Sequence, residues 1–332
     1  MVIVEQTELG PLTTMAASGC SRYFAEAGNA DTLRALIRHC QEKHIRWQIL
    51  GGGSNVVFNG NFDGMVIRLT MKGRQRCGSV VTASAGEGWD EFVAWTLDQG
   101  LSGLENLSLI PGTVGAAPVQ NIGAYGVELA ELMDRVQVYY PESDAFEELS
   151  RADCQFAYRD SIFKKELVGR AVIVSVTFSL RETFLPRLDY PILADQFSVK
   201  APQSAAEVRA AVIRIRQRRL PDPAVIPNAG SFFKNPLISA ADAQRLISEW
   251  PDIPVHASPE GDFKLSAAWL IDQAGCKRLA QDGVKVSDQH ALVLTNPGRA
   301  SGAVVLALAT EVQQRVSDRF GISLEIEPVV IS

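Results

Sequence analysis

The chain has 332 residues, more than the roughly 250–300 that one core usually supports, so two or three domains are expected. Its 46% hydrophobic and 21% charged residues are a globular balance, and no apolar run approaches the roughly 20 residues that span a bilayer. A net charge of −6 argues against a nucleic-acid partner, while an anionic substrate stays compatible with basic residues gathered locally.

The N-terminus, MVIVEQTELG, has no basic n-region and no long apolar stretch, so it does not read as a secretory signal. A soluble, cytoplasmic chain is expected. Cys20, Cys40, Cys77, Cys154 and Cys276 are scattered and form no CxxC pair, which predicts reduced thiols. His39, His44, His256 and His290 show no HExxH spacing, so no metal is expected.

Apolar spacing at Leu33, Leu36, Ile37 and Cys40 predicts a helix over 31–43, capped by Asn29 or Asp31. A short strand, WQIL at 47–50, runs into GGGSN at 51–55, and strand character resumes at 56–58 and 65–69. Next come a strand at 80–86 and a helix from Trp89 to Gln99 that stops at Gly100. A long glycine-rich segment fills 103–126, and strands rich in β-branched residues cover 135–140 and 171–180. The helix from Ala205 to Arg218 has a basic face (Arg209, Arg214, Arg216, Arg218) and an apolar one (Val208, Val212, Ile215). LPDPAVIP at 220–227 marks the clearest boundary. Beyond it, helices are predicted at 240–249, 266–274 and 301–319, a strand at 290–296, and a last extended segment in LEIEPVVI.

Two glycine-rich stretches carry chemistry. In GGGSN, three glycines permit positive φ and close approach of backbone amides to a phosphate, and Ser54 and Asn55 add side-chain donors. No GK[ST] follows, so it is not a P-loop, and the GxGxxG of a Rossmann turn is missing. Alone it fits a tight β-turn and a phosphate cradle equally well. The second stretch, PGTVGAAPVQNIGAYG at 111–126, spends Gly112, Gly115, Gly123 and Gly126 among small residues. Gln120 and Asn121 offer amides there, and Tyr125 a stacking face. A long loop with little charge is uncommon without a function, and two such stretches favour a dinucleotide.

The two stretches in this order resemble the FAD-binding domain of vanillyl-alcohol-oxidase-type flavoproteins. Within that superfamily the chain resembles the UDP-N-acetylenolpyruvoylglucosamine reductase family. The likeness continues through AYRDSIFK at 157–164, LPDP at 220–223, NAGSFFKNP at 228–236, AAWLIDQAG at 267–275 and the terminal LEIEP. It implies a mixed α/β (α+β) fold in three domains: an FAD-binding subdomain over 1–70 joined by 322–332, a second over 71–219, and a substrate-binding α+β domain over 220–321. These two FAD-binding parts are of the PCMH type. It also implies an NADPH-dependent flavoenzyme of bacterial cell-wall precursor synthesis, which reduces the enolpyruvyl ether of a UDP-sugar.

On this resemblance Gly51, Gly52, Gly53, Ser54, Asn55, Pro111, Gly112, Thr113, Gly115, Ala116, Gln120, Asn121, Gly123, Tyr125, Gly126 and Arg159 hold FAD. No histidine lies in or near either glycine-rich stretch, so FAD is expected to be bound non-covalently. Reduction leaves negative charge beside the substrate carboxylate, which calls for a cation, an enol stabiliser and a proton donor. Arg159 suits the first, because a guanidinium is always charged and grips a carboxylate through two bonds. Its bland alternative is a solvated loop arginine. Glu325 and Glu327 both offer a carboxyl; the family pattern selects Glu327 and leaves Glu325 as the alternative. Ser231, whose setting alone leaves nucleophile, donor and turn residue open, carries over as the proton donor. Tyr158, Tyr190, Arg219, Asn235, Lys277 and His290 are the implied substrate contacts. Arg219 stands where lysine is frequent, and His290 where some relatives have glutamine. A superfamily oxidase acting on a sugar or alcohol, or a non-catalytic flavin-binding module, would have no need of Ser231 with Arg159. Nothing in the sequence demands more than a monomer.

Overall fold

The computed structural model describes residues 1–257 and 261–332. Mixed α and β elements divide into two compact units, one formed by 1–7, 21–53 and 63–218, the other by 8–20, 54–62 and 219–332.

The first unit is built on two sheets. One orders its strands Ile3–Glu8, Cys20–Ala27, Phe62–Leu69 and Trp47–Leu50. The last two run parallel, with Gln48 opposite Val66. The helix Ala30–Glu42, which leads from Cys20–Ala27 to Trp47–Leu50, buries Leu33, Leu36, Ile37 and Cys40, the residues whose spacing predicts it. Asn29 is the cap: its side chain accepts from the Thr32 amide at 2.8 Å. Asp31 lies in the first turn instead. The other sheet is antiparallel, in the order Ala145–Ser150, Met133–Tyr140, Val172–Ser179, Val80–Ser84 and Arg74–Cys77. Of its two predicted strands, Met133–Tyr140 buries Val136 and Val138 in alternation, while Val172–Ser179 is buried almost throughout, Val176 and Phe178 included. The helix Trp89–Asp98 packs Trp89 and Phe92 on Phe178, with ring centroids 6.0 and 5.2 Å away.

The second unit wraps two further antiparallel sheets around one core. The first orders Asn228–Ser231, Val293–Thr295, Val284–Val286 and Ala280–Gln281; the second orders Leu237–Ile238, Phe263–Leu265 and Val255–Ala257. The long helix Gly302–Phe320 buries Val305, Leu308, Ala309, Val312, Val316 and Phe320, at about 1.5–3 kcal/mol for each large side chain. It ends at Gly321, whose φ of 68° is the left-handed terminator. The strand Val329–Ile331 pairs in parallel with Val56–Phe58.

Two predicted strands are shorter than the sequence suggests. Of 290–296 only Val293–Thr295 is strand, because His290 stays in the preceding turn, its carbonyl accepting from the Val293 amide. In LEIEPVVI, Pro328 supplies no amide donor, and the strand begins at Val329.

Candidate functional site

In the first unit the two glycine-rich stretches lie against each other. A Cβ on Gly52 would fall 2.8 Å from the Gly112 Cα, and one on Gly51 would fall 2.6 Å from the Thr113 hydroxyl. Glycine is needed at both for steric reasons. Gly53 (φ 65°) and Gly112 (φ 123°) also take backbone angles that L side chains avoid. Gly115 packs as tightly on Ala85, whose Cβ would lie 2.4 Å from a Cβ added there. Pro111 and Ala116 are exposed beside these contacts.

The Thr113 hydroxyl is buried and has no hydrogen-bond partner. An orphaned hydroxyl between two glycine turns is what a phosphate oxygen would satisfy, so these residues fit the diphosphate of FAD.

The stretch then turns through Asn121 (φ 45°) into a two-residue hairpin. Gly123–Ala124 pairs with Val127–Glu128, and Tyr125 (φ 49°) and Gly126 (φ 81°) form its tip with the positive angles such turns require. Asn121 is spent on structure: its amide donates to Glu128 at 2.7 Å and to the Ala157 carbonyl at 3.1 Å, and its oxygen accepts from the Ala130 amide. Gln120 precedes it in a short 3-10 turn. Tyr125 meets the Tyr190 ring edge-on at 5.5 Å. Tyr190 is 43% exposed and begins the helix Pro191–Asp195.

Arg159 comes from a tight turn closed by reciprocal bonds between Ala157 and Asp160. It adopts φ 54°. Its guanidinium donates to the Gly123 carbonyl at 2.7 Å and lies 5.2 Å from the Tyr158 ring centroid. A Cβ on Gly123 would stand 3.0 Å from Nη1. Arg159 is therefore joined to the glycine-rich stretch and is not a solvated loop residue. Ser161 locks the same turn by donating to the Val119 carbonyl at 2.7 Å.

The helix Ala205–Arg219, read from sequence with a basic face, turns two of its arginines inward. Arg209 donates to Asp90 at 2.8 Å, and the half-buried Arg216 lies near Asp90 and Tyr125. Neither Asp90 nor Arg216 stands in a recognisable motif; only their nonlocal packing reveals them.

In the second unit Ser231 ends the strand Asn228–Ser231, which breaks register with Val293–Thr295 between Asn228 and Ser231. Gly230 takes the extra step at φ 70°, and a Cβ there would meet nothing within 4 Å, so the angle selects glycine. The Asn228 side chain fixes the bulge. Its oxygen accepts from the Gly230 amide at 2.9 Å, and its NH2 donates to the Pro221 and Ile226 carbonyls. A bulge of this kind re-aims the next side chain, here Ser231. Phe232 and Phe233 behind it are 0% and 1% exposed.

The chain leaving Ser231 runs antiparallel to LEIEP. Phe233 bridges Ile326, the Lys234 amide donates to Glu325, and the Glu327 amide donates to Phe232 at 2.9 Å. This pairing brings the Ser231 and Glu327 segments side by side. Glu325 forms an ion pair with Lys234. Asn55 donates weakly to the Glu327 carbonyl at 3.5 Å, and its own carbonyl accepts from Val329. Ser54 accepts from Thr14.

Among the implied substrate contacts, Asn235 accepts through its side-chain oxygen from the Ala267 amide at 3.0 Å. His290 accepts through Nδ1 from the Leu292 amide at 3.3 Å. Burial, then the nearby Arg219 charge, holds its imidazole below the usual histidine range, so it is neutral at pH 7. Arg219 and Lys277 are exposed, Lys277 just past Gly275 (φ 72°) at the end of the helix Ala267–Gln273.

Residues 21–144 match the family described as FAD binding domain, and 222–331 match the family described as UDP-N-acetylenolpyruvoylglucosamine reductase, C-terminal domain. A crystal structure of UDP-N-acetylenolpyruvylglucosamine reductase from Thermus caldophilus superposes with a TM-score of 0.70 at 24% identity, covering 100% of this chain and 98% of that one. It shows that the mixed α/β fold is shared. A UDP-N-acetylenolpyruvoylglucosamine reductase from Neisseria gonorrhoeae is 44% identical, covering 97% of this chain and 96% of its own. One from Dechloromonas aromatica is 43% identical over 98% of both chains. A third, from Burkholderia lata, is 45% identical over 96% of this chain and 94% of its own. On that identity and coverage, the chain belongs to the UDP-N-acetylenolpyruvoylglucosamine reductase family, which are FAD-dependent oxidoreductases.

Proposed function

We propose that this protein reduces UDP-N-acetylglucosamine enolpyruvate to UDP-N-acetylmuramate, using NADPH, as a monomeric cytoplasmic flavoenzyme. FAD, when bound non-covalently, supplies the hydride to the enolpyruvyl CH2. On this reading it is held by 1–70 with 322–332 and by 71–219, and the substrate by 220–321. Arg159 grips the substrate carboxylate, where charge accumulates as the CH2 is reduced. Glu327, protonated, donates a hydrogen bond to the enol oxygen atoms. Ser231 Oγ gives its proton to the carbon beside the carboxylate; an enolate carbon is basic enough that placement matters more than a matched pKa. Tyr158, Tyr190, Arg219, Lys277, His290 and the NH2 of Asn235 hold the polar tail.

The observation that carries the reading is the antiparallel pairing of 232–234 with 325–327, which sets the serine segment beside the one carrying Glu327. The test follows NADPH oxidation with and without the enolpyruvyl substrate, after a visible spectrum has established bound flavin. Substrate-dependent turnover is expected. Oxygen consumption without substrate would instead favour an oxidase. Ser231→Ala should keep reduction of the flavin by NADPH and slow its reoxidation by substrate by several orders of magnitude. An unchanged second half-reaction would remove Ser231 from the chemistry.

A further inference from the structure

NAGSFFKNP and LEIEP each contain a charged residue that the chemistry above does not use: Lys234 and Glu325. They are partners. The Lys234 ammonium forms an ion pair with Glu325 Oε1, and the Lys234 amide donates to the Glu325 carbonyl at 2.9 Å. Phe233 then bridges Ile326, and the Glu327 amide donates to Phe232 at 2.9 Å. The ion pair thus closes one end of a very short ladder whose other end carries Ser231 and Glu327. Such a ladder has few hydrogen bonds to fix its register, and a slip of one residue turns every side chain to the other face. The two charges are also unequal in environment: the Lys234 side chain is 13% exposed and that of Glu325 is 70% exposed. Without Glu325 the partly desolvated ammonium would lose this partner, which is unfavourable.

We propose that Lys234 and Glu325 form a positioning couple, which holds the proton donor Ser231 and the carboxyl of Glu327 in register for the reduction. Glu325 is then neither the catalytic carboxyl nor a plain surface charge, and Lys234 is not a substrate contact. The inference rests on the roles proposed above for Ser231 and Glu327.

The test compares Glu325→Lys, Lys234→Glu and the double exchange in the holoenzyme, with Ser231→Ala alongside. Each single reversal should lower kcat about tenfold, since a small misplacement of reacting groups costs on that order or more, with KM little changed. The double exchange should recover most of the loss. Loss by several orders of magnitude in Glu325→Lys without recovery in the double variant would make Glu325 the catalytic carboxyl. A rise in KM at constant kcat in Lys234→Glu, likewise unrecovered, would make Lys234 a substrate contact. A lowered melting temperature with unchanged kcat would leave the pair purely structural. Any of these three results overturns the proposal. Normal turnover by Ser231→Ala would overturn the proton-donor role itself, which separates that failure from failure of the couple.

Discussion

At the scale of single residues, one carboxylate of the first unit, Asp144, accepts four hydrogen bonds. Asp144 sits at φ 53° in the turn before Ala145–Ser150. It accepts from Arg34 at 2.6 and 2.9 Å, from Arg38 at 2.9 Å and from the Tyr139 hydroxyl at 2.9 Å. The Arg34 hydrogen bonds, then that of Tyr139, hold it far below the ordinary carboxylate range. Its folded-state pKa is depressed, so the stability it contributes is present above the unfolded value of about 3.9 and is lost as pH falls below that point. Asp144→Asn keeps a residue that tolerates positive φ and removes the charge. The variant should melt below the parent at pH 7, and the gap should shrink at pH 3. A gap that stays constant between the two pH values would show that the charge contributes nothing.

Among the elements, helices with local signals are the ones legible beforehand. Asn29 and the Leu33–Cys40 stripe place the first helix to within a residue at each end, and Gly321 ends the last one. The strands Ile3–Glu8, Arg74–Cys77 and Ala145–Ser150 escape the reading because they are mostly exposed and polar, and give no alternation to detect. The bulge at Gly230 escapes it too, since its geometry depends on Asn228 reaching Pro221. Glycines separate the same way. Gly321 needs only its angle, with open space around it, whereas a Cβ on Gly302 would fall 1.8 Å from the Phe58 carbonyl oxygen. Gly321→Ala should therefore cost about 1–2 kcal/mol. Gly302→Ala must push the helix from the strand Val56–Phe58 and should cost more, beyond the ~1–3 kcal/mol typical of overpacking. Urea midpoints measure both, and equal losses would contradict the distinction.

Over the whole molecule, the order of motifs was enough to read a flavin-binding fold with a distinct C-terminal part. The path of 54–62 into the second unit was not legible, because it depends on the parallel pairing of Val56–Phe58 with Val329–Ile331, almost the full chain apart. Nor does sequence show that Thr113 alone in its loop is left with a buried, unsatisfied hydroxyl. That hydroxyl gives a test of cofactor binding independent of turnover. Without ligand it is a cost to the fold, since a buried unpaired polar group loses its hydration for nothing. If this loop holds the FAD diphosphate, as its geometry fits, bound FAD would supply a phosphate partner. Thr113→Val, close to isosteric, should leave the flavin-free protein as stable as the parent or more so, and should weaken FAD. Free FAD at about 100 times its Kd adds about 2.7 kcal/mol, which raises the melting temperature by about 5–10 °C for a body of 150–250 residues. The parent stripped of flavin should show that shift in a thermal melt, and Thr113→Val should show clearly less at the same FAD concentration. Gly52→Ala should lose the shift as well, because its Cβ would force the two glycine-rich stretches apart at Gly112. Shifts of equal size in all three proteins would mean that the FAD diphosphate binds elsewhere.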